Sequence, residues 1–128
     1  MDHVYFSDGT EKRISWVIQN NETQVEQYRE QTDIYLDKVS IEQAKYIALH
    51  VGIFWGVGRF IIKNDDSVKV MVDSRSMFDR LVDKKTSSDP FIESRIGFIR
   101  QIIDQRKLVV KYELIEPQQN IATKVLSS

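Results

Sequence analysis

With 128 residues, and eighteen lysines and arginines against nineteen aspartates and glutamates, the chain can build one domain with a real core but lacks the basic excess of an indiscriminate nucleic-acid binder. It has no cysteine, which excludes a disulfide framework and a thiolate metal site, and its two histidines, His3 and His50, stand too far apart to read as a zinc pair. No charged start followed by an apolar run marks a signal peptide, and the longest apolar stretch, 46–62, is broken by His50, three glycines and Arg59. That pattern suits a core helix better than a membrane span, so the expectation is an intracellular, cytoplasmic protein with no membrane attachment.

The chain opens with a β-prone run, 3–7, that stops at the turn signal Asp8-Gly9. A second strand, 14–18, carries aromatic and β-branched residues and breaks at Asn20-Asn21. A third, from 23 to about 32, alternates less cleanly, as a half-exposed edge strand would. Three short strands in succession read as an antiparallel meander.

The period then changes. Ser40 is a good N-cap, and Ile41, Ala44, Ile47, Ala48, Val51 and Trp55 recur at helical spacing, predicting one long helix over 40–62. Gly52 and Gly56, four apart on it, should let another element pack closely. The run Val68 to Val72 reads as a strand covered on both faces, ended by Asp73. Ser74 can cap a short helix carrying Met77, Phe78 and Leu81. In an α/β sheet the carboxyl end of a strand is where ligands bind, so Asp73 is a site candidate as well as a helix-capping one.

After a polar loop, Pro90 fits the first turn of a helix capped by Ser88 or Asp89, with Phe91, Ile92, Ile96, Ile99 and Ile103 as its buried side. A last strand, 108–115, ends before Pro117, and only a helical stub can follow. Trp16, Trp55, Phe60, Phe91 and Phe98 follow the apolar stripes and read as core. Arg75, Arg80, Lys84, Lys85, Arg95 and Arg100 surround the helices after the fourth strand, but Asp79, Asp83, Asp89 and Glu93 cancel much of their field. The order is βββ-α-β-α-α-β with a C-terminal remnant, a mixed α/β class, and no linker, repeat or low-complexity tract divides it. Residues 1–128 read as a single domain.

Four short motifs in this order resemble those of the ribonuclease H-like superfamily, especially type 1 ribonuclease H and the ribonuclease H domains associated with reverse transcriptases. They are Tyr5-Phe6-Ser7-Asp8-Gly9, Ala44-Lys45-Tyr46-Ile47-Ala48-Leu49, Val72-Asp73-Ser74 and Asn120-Ile121-Ala122-Thr123-Lys124. The resemblance implies a ribonuclease H-like fold: a mixed five-stranded sheet, antiparallel through its first three strands, with helices on both faces. It also implies a site in which four carboxylates hold two divalent ions that cleave the RNA of an RNA/DNA hybrid. Asp8 and Asp73 match the first and third carboxylates. Lys45 stands where the family has glutamate, and Thr123 where it has the last aspartate.

A lysine ammonium beside two aspartates supplies the charge a metal would bring and competes with it, at ~4 Å by several kcal/mol at intermediate dielectric. The family's glycine-rich turn is reduced here to Thr10-Glu11-Lys12-Arg13, and its histidine loop is replaced by Glu116-Pro117-Gln118-Gln119. The leading expectation is therefore a degenerate module that binds nucleic acid, such as an RNA/DNA hybrid, or a protein partner, with little or no hydrolysis and no cofactor. The weak nucleic-acid candidates are Arg75, Arg80, Lys84 and Lys85.

The alternative is an active nuclease using Mg2+ or Mn2+ held by Asp8 and Asp73, with Glu42 replacing the missing glutamate. Glu42 lies one turn before Lys45, displaced by about 4.5 Å of helical rise, and otherwise pairs with Lys45 or faces solvent. A third reading is a structural or dimerisation domain.

Overall fold

The computed structural model describes residues 1–127, and its sheet has five strands in the order β3-β2-β1-β4-β5. These are β1 (Asp2–Gly9), β2 (Arg13–Gln19), β3 (Gln24–Glu30), β4 (Ser67–Val72) and β5 (Val109–Leu114). The meander β1-β2-β3 is antiparallel, whereas β4 joins β1 in parallel and β5 joins β4 in parallel. The parallel pairs are reached through helices, as such crossovers require. They are α1 (Ile41–Gly58), then α2 (Arg75–Val82) and α3 (Pro90–Arg106), and a short α4 (Ile121–Leu126) follows the last strand.

Alternation sorts the sheet into two faces. Tyr5, Ile14, Trp16, Ile18, Val68, Val70 and Val72 pack with α1, α2 and α3 into the main core. On the opposite face Phe6 and Val17 meet Ala122 and Val125 of α4 in a smaller cluster. The two buried glycines of α1 explain how tightly it lies on the sheet. A Cβ on Gly52 would stand 2.0 Å from the Tyr5 hydroxyl and 2.8 Å from the Trp16 ring. That hydroxyl donates to the carbonyls of Ala48 and Leu49, at 2.8 and 3.1 Å, tying helix to strand.

Several local expectations need correction. Asp8-Gly9 is not a turn: both residues belong to β1 and pair with Ser15 and Ile14, and the chain reverses at 10–12. Glycine is needed at 9 for helix packing, because a Cβ there would lie 2.5 Å from the Ala44 carbonyl oxygen. Helix α1 ends at Gly58 instead of running to 62, and the amides of Ile61 and Ile62 turn back to the Gly56 carbonyl. Phe60, in the left-handed region at φ 62°, is thrown outward and is 78 % exposed, while Ile62 is buried.

Phe98 is likewise no core residue. Ile96 and Ile99 take the inward face of α3, and Phe98 stacks on His50 at the surface. Ile102 is the buried member of the last turns, with Ile103 only partly buried against the core, and Asp89 rather than Ser88 caps the helix. Among the described residues no helix is long and apolar enough to cross a membrane.

Candidate functional site

Strands β1 and β4 are neighbours, and the register that sets Phe6 opposite Met71, continued by two residues, brings Asp8 level with Asp73. Asp73 lies just beyond the last residue of β4, where the chain leaves the sheet for the Ser74 cap of α2; the Ser74 hydroxyl accepts from the Met77 amide at 3.3 Å. The third contributor comes from α1. Ser40 and Gln43 close a capping box at its start, and Gly9 lets the first turns sit directly on the end of β1. One residue past the Ala44 contact, Lys45 reaches between the two aspartates.

The Lys45 ammonium donates to Asp8 Oδ1 at 2.8 Å and to Asp73 Oδ1 at 3.0 Å. Each outer carboxylate oxygen has its own donor. Thr123 Oγ1 donates to Asp8 Oδ2 at 2.6 Å, and Asn120 Nδ2 donates to Asp73 Oδ2 at 3.0 Å. The Gly9 amide adds a further bond to Asp8 Oδ1 at 2.8 Å. All four carboxylate oxygens are thus taken by protein donors from β1, α1 and the start of α4. Charge-assisted bonds of this kind are the strong ones, and here they tie three layers together.

The group is largely shielded: the side chains of Lys45, Asp8 and Asp73 are 22 %, 9 % and 7 % exposed. Burial alone would push the lysine toward its neutral form, but the hydrogen bonds and charges of Asp8 and Asp73 outweigh it. The Lys45 pKa therefore stands above the ordinary lysine value. A cavity of only about 10 Å³ lies beside it, lined by Ser7, Lys45, Val70 and Asp73 among others. That is room for one water at most.

Asn120 is the residue that sequence reasoning assigned no role at the site. Its side chain does three things at once: it donates to Asp73 and to the Ser7 carbonyl, at 3.0 Å each, and accepts from the Ala122 amide at 3.1 Å, capping α4. The signal was present in the motif Asn120-Ile121-Ala122-Thr123, which reads as an N-cap; what it could not reveal is which strand ends the cap would face.

Glu42 is not part of this group. Its carboxylate faces Arg80 of α2 at 3.3 Å, so it pairs neither with Lys45 nor only with water. Arg80 also donates to the Tyr46 hydroxyl at 3.3 Å, and this contact, with Glu42 beyond it, holds its pKa above the usual arginine value. Two of the other three basic candidates sit near an acid as well. Arg75 and Lys85 approach opposite oxygens of Asp79 at 4.0 and 3.9 Å, and Lys84 occupies a left-handed turn at φ 56°.

Divalent ions such as magnesium need several oxygen ligands each. Two carboxylates whose oxygens are all engaged, with an ammonium between them, do not fit a two-ion centre. Among the described residues no group of three Asp, Glu, His or Cys side chains forms that could hold a metal ion.

No protein-family model matches the chain, and no curated protein sequence matches it. Its fold is nonetheless similar to solved structures along nearly the whole length. RNase H1 from the halophilic archaeon Halobacterium salinarum superposes with a TM-score of 0.77 at 15 % identity, over 98 % of this chain and 94 % of that one. The N-terminal RNase H domain of a Mycobacterium tuberculosis protein gives 0.74 at 14 % identity, over 95 % and 92 %. LC11-RNase H1, isolated from compost and solved in complex with an RNA/DNA hybrid, gives 0.55 at 15 % identity over 98 % of each chain. The chain thus has the ribonuclease H-like fold, with Asp8, Lys45, Asp73 and Thr123 meeting where its central strands end.

Proposed function

We propose that this chain is a ribonuclease H-like domain that binds nucleic acid, an RNA/DNA hybrid or a related duplex, and has given up metal-dependent hydrolysis. The observation that carries this reading is the Lys45 ammonium within 3.0 Å of both Asp8 and Asp73. In a two-ion mechanism the metals activate the water and stabilise the leaving oxygen. A tethered ammonium balances one of the two aspartate charges but offers no open coordination position for either task.

The binding half of the reading draws support from the fold. LC11-RNase H1 and a foamy viral protease-reverse transcriptase, both similar in fold to this chain, were each solved with an RNA/DNA hybrid. Asp8 and Asp73 serve here as anchors for Lys45, and Thr123 and Asn120 as their outer donors.

The test is incubation of a labelled RNA/DNA hybrid with the chain in magnesium or manganese, beside an Asp73→Asn variant, with binding followed separately by anisotropy at rising salt. The reading expects intact hybrid and an affinity that falls with salt, since phosphate contacts release counterions. Cleavage that disappears in Asp73→Asn would return the active nuclease with Asp8, Asp73 and Glu42 to first place. Intact hybrid with no salt-dependent binding would leave the protein-partner or dimerisation reading.

A further inference from the structure

A second surface lies on the same helix as Lys45, with its Phe54 about 14 Å further along the axis at 1.5 Å per residue. There a groove of about 270 Å³ runs between the edge strand β3 and the C-terminal end of α1, lined by Arg29, Val51, Phe54, Trp55, Gly58 and Arg59. Behind its walls, ring and cation contacts run in series through the buried Trp16, with the two indoles tilted at 54°. The Arg29 guanidinium lies 5.3 Å from the Trp16 ring, Trp16 lies 5.7 Å from Trp55, and the Arg59 guanidinium lies 5.5 Å from Trp55. Each arginine is thus held in place by an indole face rather than by an acid. No carboxylate lines the groove, and among the described residues neither arginine makes an ion pair.

Phe54, which lines the same groove, is 65 % exposed although it lies on the same helix as the fully buried Tyr46. The pattern continues around the helix end. A neighbouring hollow of about 370 Å³ sets Phe60 beside Lys63 and Arg106. Helix C-termini attract cations in any case, which accounts for Arg106 on α3 and for Arg59, the C-cap of α1. It does not account for Arg29, which sits on a strand, nor for two protruding phenylalanines.

We propose that this groove is a binding track for single-stranded nucleic acid, with Arg29 and Arg59 holding backbone phosphates and Phe54 stacking on an unpaired base. Unpaired cations call for an anionic partner, and rings interleaved with them call for flat apolar faces repeated along that anion. An unpaired strand offers both, whereas in a duplex the base faces are already stacked. The track is separate from the Asp8–Lys45–Asp73 group and does not depend on whether that group hydrolyses anything. It also differs from the basic residues of α2, which face Glu42 and Asp79.

The experiment is a fluorescence anisotropy titration of the full chain against a labelled unpaired oligonucleotide of about 12 nucleotides, within the span such sites cover, at several salt concentrations. Salt-dependent binding is expected. Arg29→Gln with Arg59→Gln should weaken it and flatten the plot of log affinity against log salt by about 1.4, at about 0.7 for each phosphate no longer neutralised. Phe54→Ala should weaken it roughly 5- to 150-fold, the worth of one stacked base, while leaving the slope unchanged. That division between slope and affinity is one a merely structural change would not produce, and Phe54→Tyr should restore binding.

Lys111→Gln, on β5 at the opposite edge of the sheet from β3, should leave oligonucleotide binding unchanged, and binding of an RNA/DNA hybrid at the Lys45 face should be indifferent to Phe54→Ala. Absence of oligonucleotide binding by the unmodified chain, or affinity unchanged in both groove variants, would overturn the proposal. So would tighter binding of a Glu- and Phe-rich peptide at the same residues, or a dimer that dissociates on Phe54→Ala.

Discussion

Replacing Lys45 by methionine keeps most of the aliphatic stem and removes only the ammonium, so the change isolates the charge. In the native protein that ammonium bonds both Asp8 and Asp73, whose side chains are less than a tenth exposed. Taking away one partner of such a group leaves two carboxylates close together with only Thr123, Asn120 and the Gly9 amide to satisfy them. Breaking a buried pair costs about 3–5 kcal/mol, and the partial exposure of Lys45 argues for the lower end, about 3 kcal/mol near neutral pH. For a chain of this size that corresponds to a fall in Tm on the order of 10 °C.

The sign of the pH dependence separates this account from simple loss of packing. In Lys45→Met the repulsion between the carboxylates raises the pKa of one of them, so acid relieves the strain. The deficit against the native protein should therefore shrink as pH falls from about 7 towards 4. In the native protein the Lys45 pKa is raised by folding, so its contribution is complete below the ordinary lysine value and is lost only as pH rises through the higher folded value. Denaturant titrations of both proteins at several pH values supply the comparison. A methionine variant as stable as the native chain at pH 7, or a deficit independent of pH, would refute the reasoning.

Three further outcomes follow from the same structure. Lys45→Glu combined with Thr123→Asp should rebuild a four-carboxylate group whose stability depends on added magnesium, by about 2.7 kcal/mol at a hundredfold excess over Kd, read as a rising Tm. Asp66 is pushed upward by burial, but the Lys63 amide, His3 and the N-terminal ammonium hold its pKa down at about 2. Its contribution should be present above about pH 4 and lost as pH falls towards 2, and Asp66→Asn should abolish that part of the acid unfolding curve. Gly52→Ala should cost about 1–3 kcal/mol by denaturant titration, because its Cβ would overlap the Tyr5 hydroxyl and the Trp16 ring.

The parts of the fold that were legible in the sequence are those where local pattern and tertiary environment agree. The meander and the capped helix after Ser40 each carry their own period and punctuation, whereas the strand before Asp73, expected to be covered on both faces, alternates, with Val68, Val70 and Val72 buried and Lys69 exposed. Gly9 shows where this fails: Asp-Gly reads as a turn, and only the nearby Ala44 backbone reveals a glycine kept for close approach. Phe60 and Phe98 fail for a related reason. Hydrophobicity says that a ring can be buried, but a left-handed residue after α1 and the rotation of α3 decide which rings are.

At the site, motif order placed Asp8, Asp73, Lys45 and Thr123 on the right elements. It could not show that every carboxylate oxygen has a donor, because that depends on distances across three layers. Glu42 illustrates the same limit. Helical rise alone put it one turn from Lys45, while the partner it meets, Arg80, comes from a different helix.

The central claim is that the Lys45 ammonium stands in for metal between Asp8 and Asp73, and calorimetric titration of the unmodified chain with magnesium tests it most directly. The account predicts no saturable heat in the micromolar range, with the titration becoming saturable only in the Lys45→Glu, Thr123→Asp variant. Micromolar binding by the unmodified chain, lost in Asp8→Asn or Asp73→Asn, would contradict it.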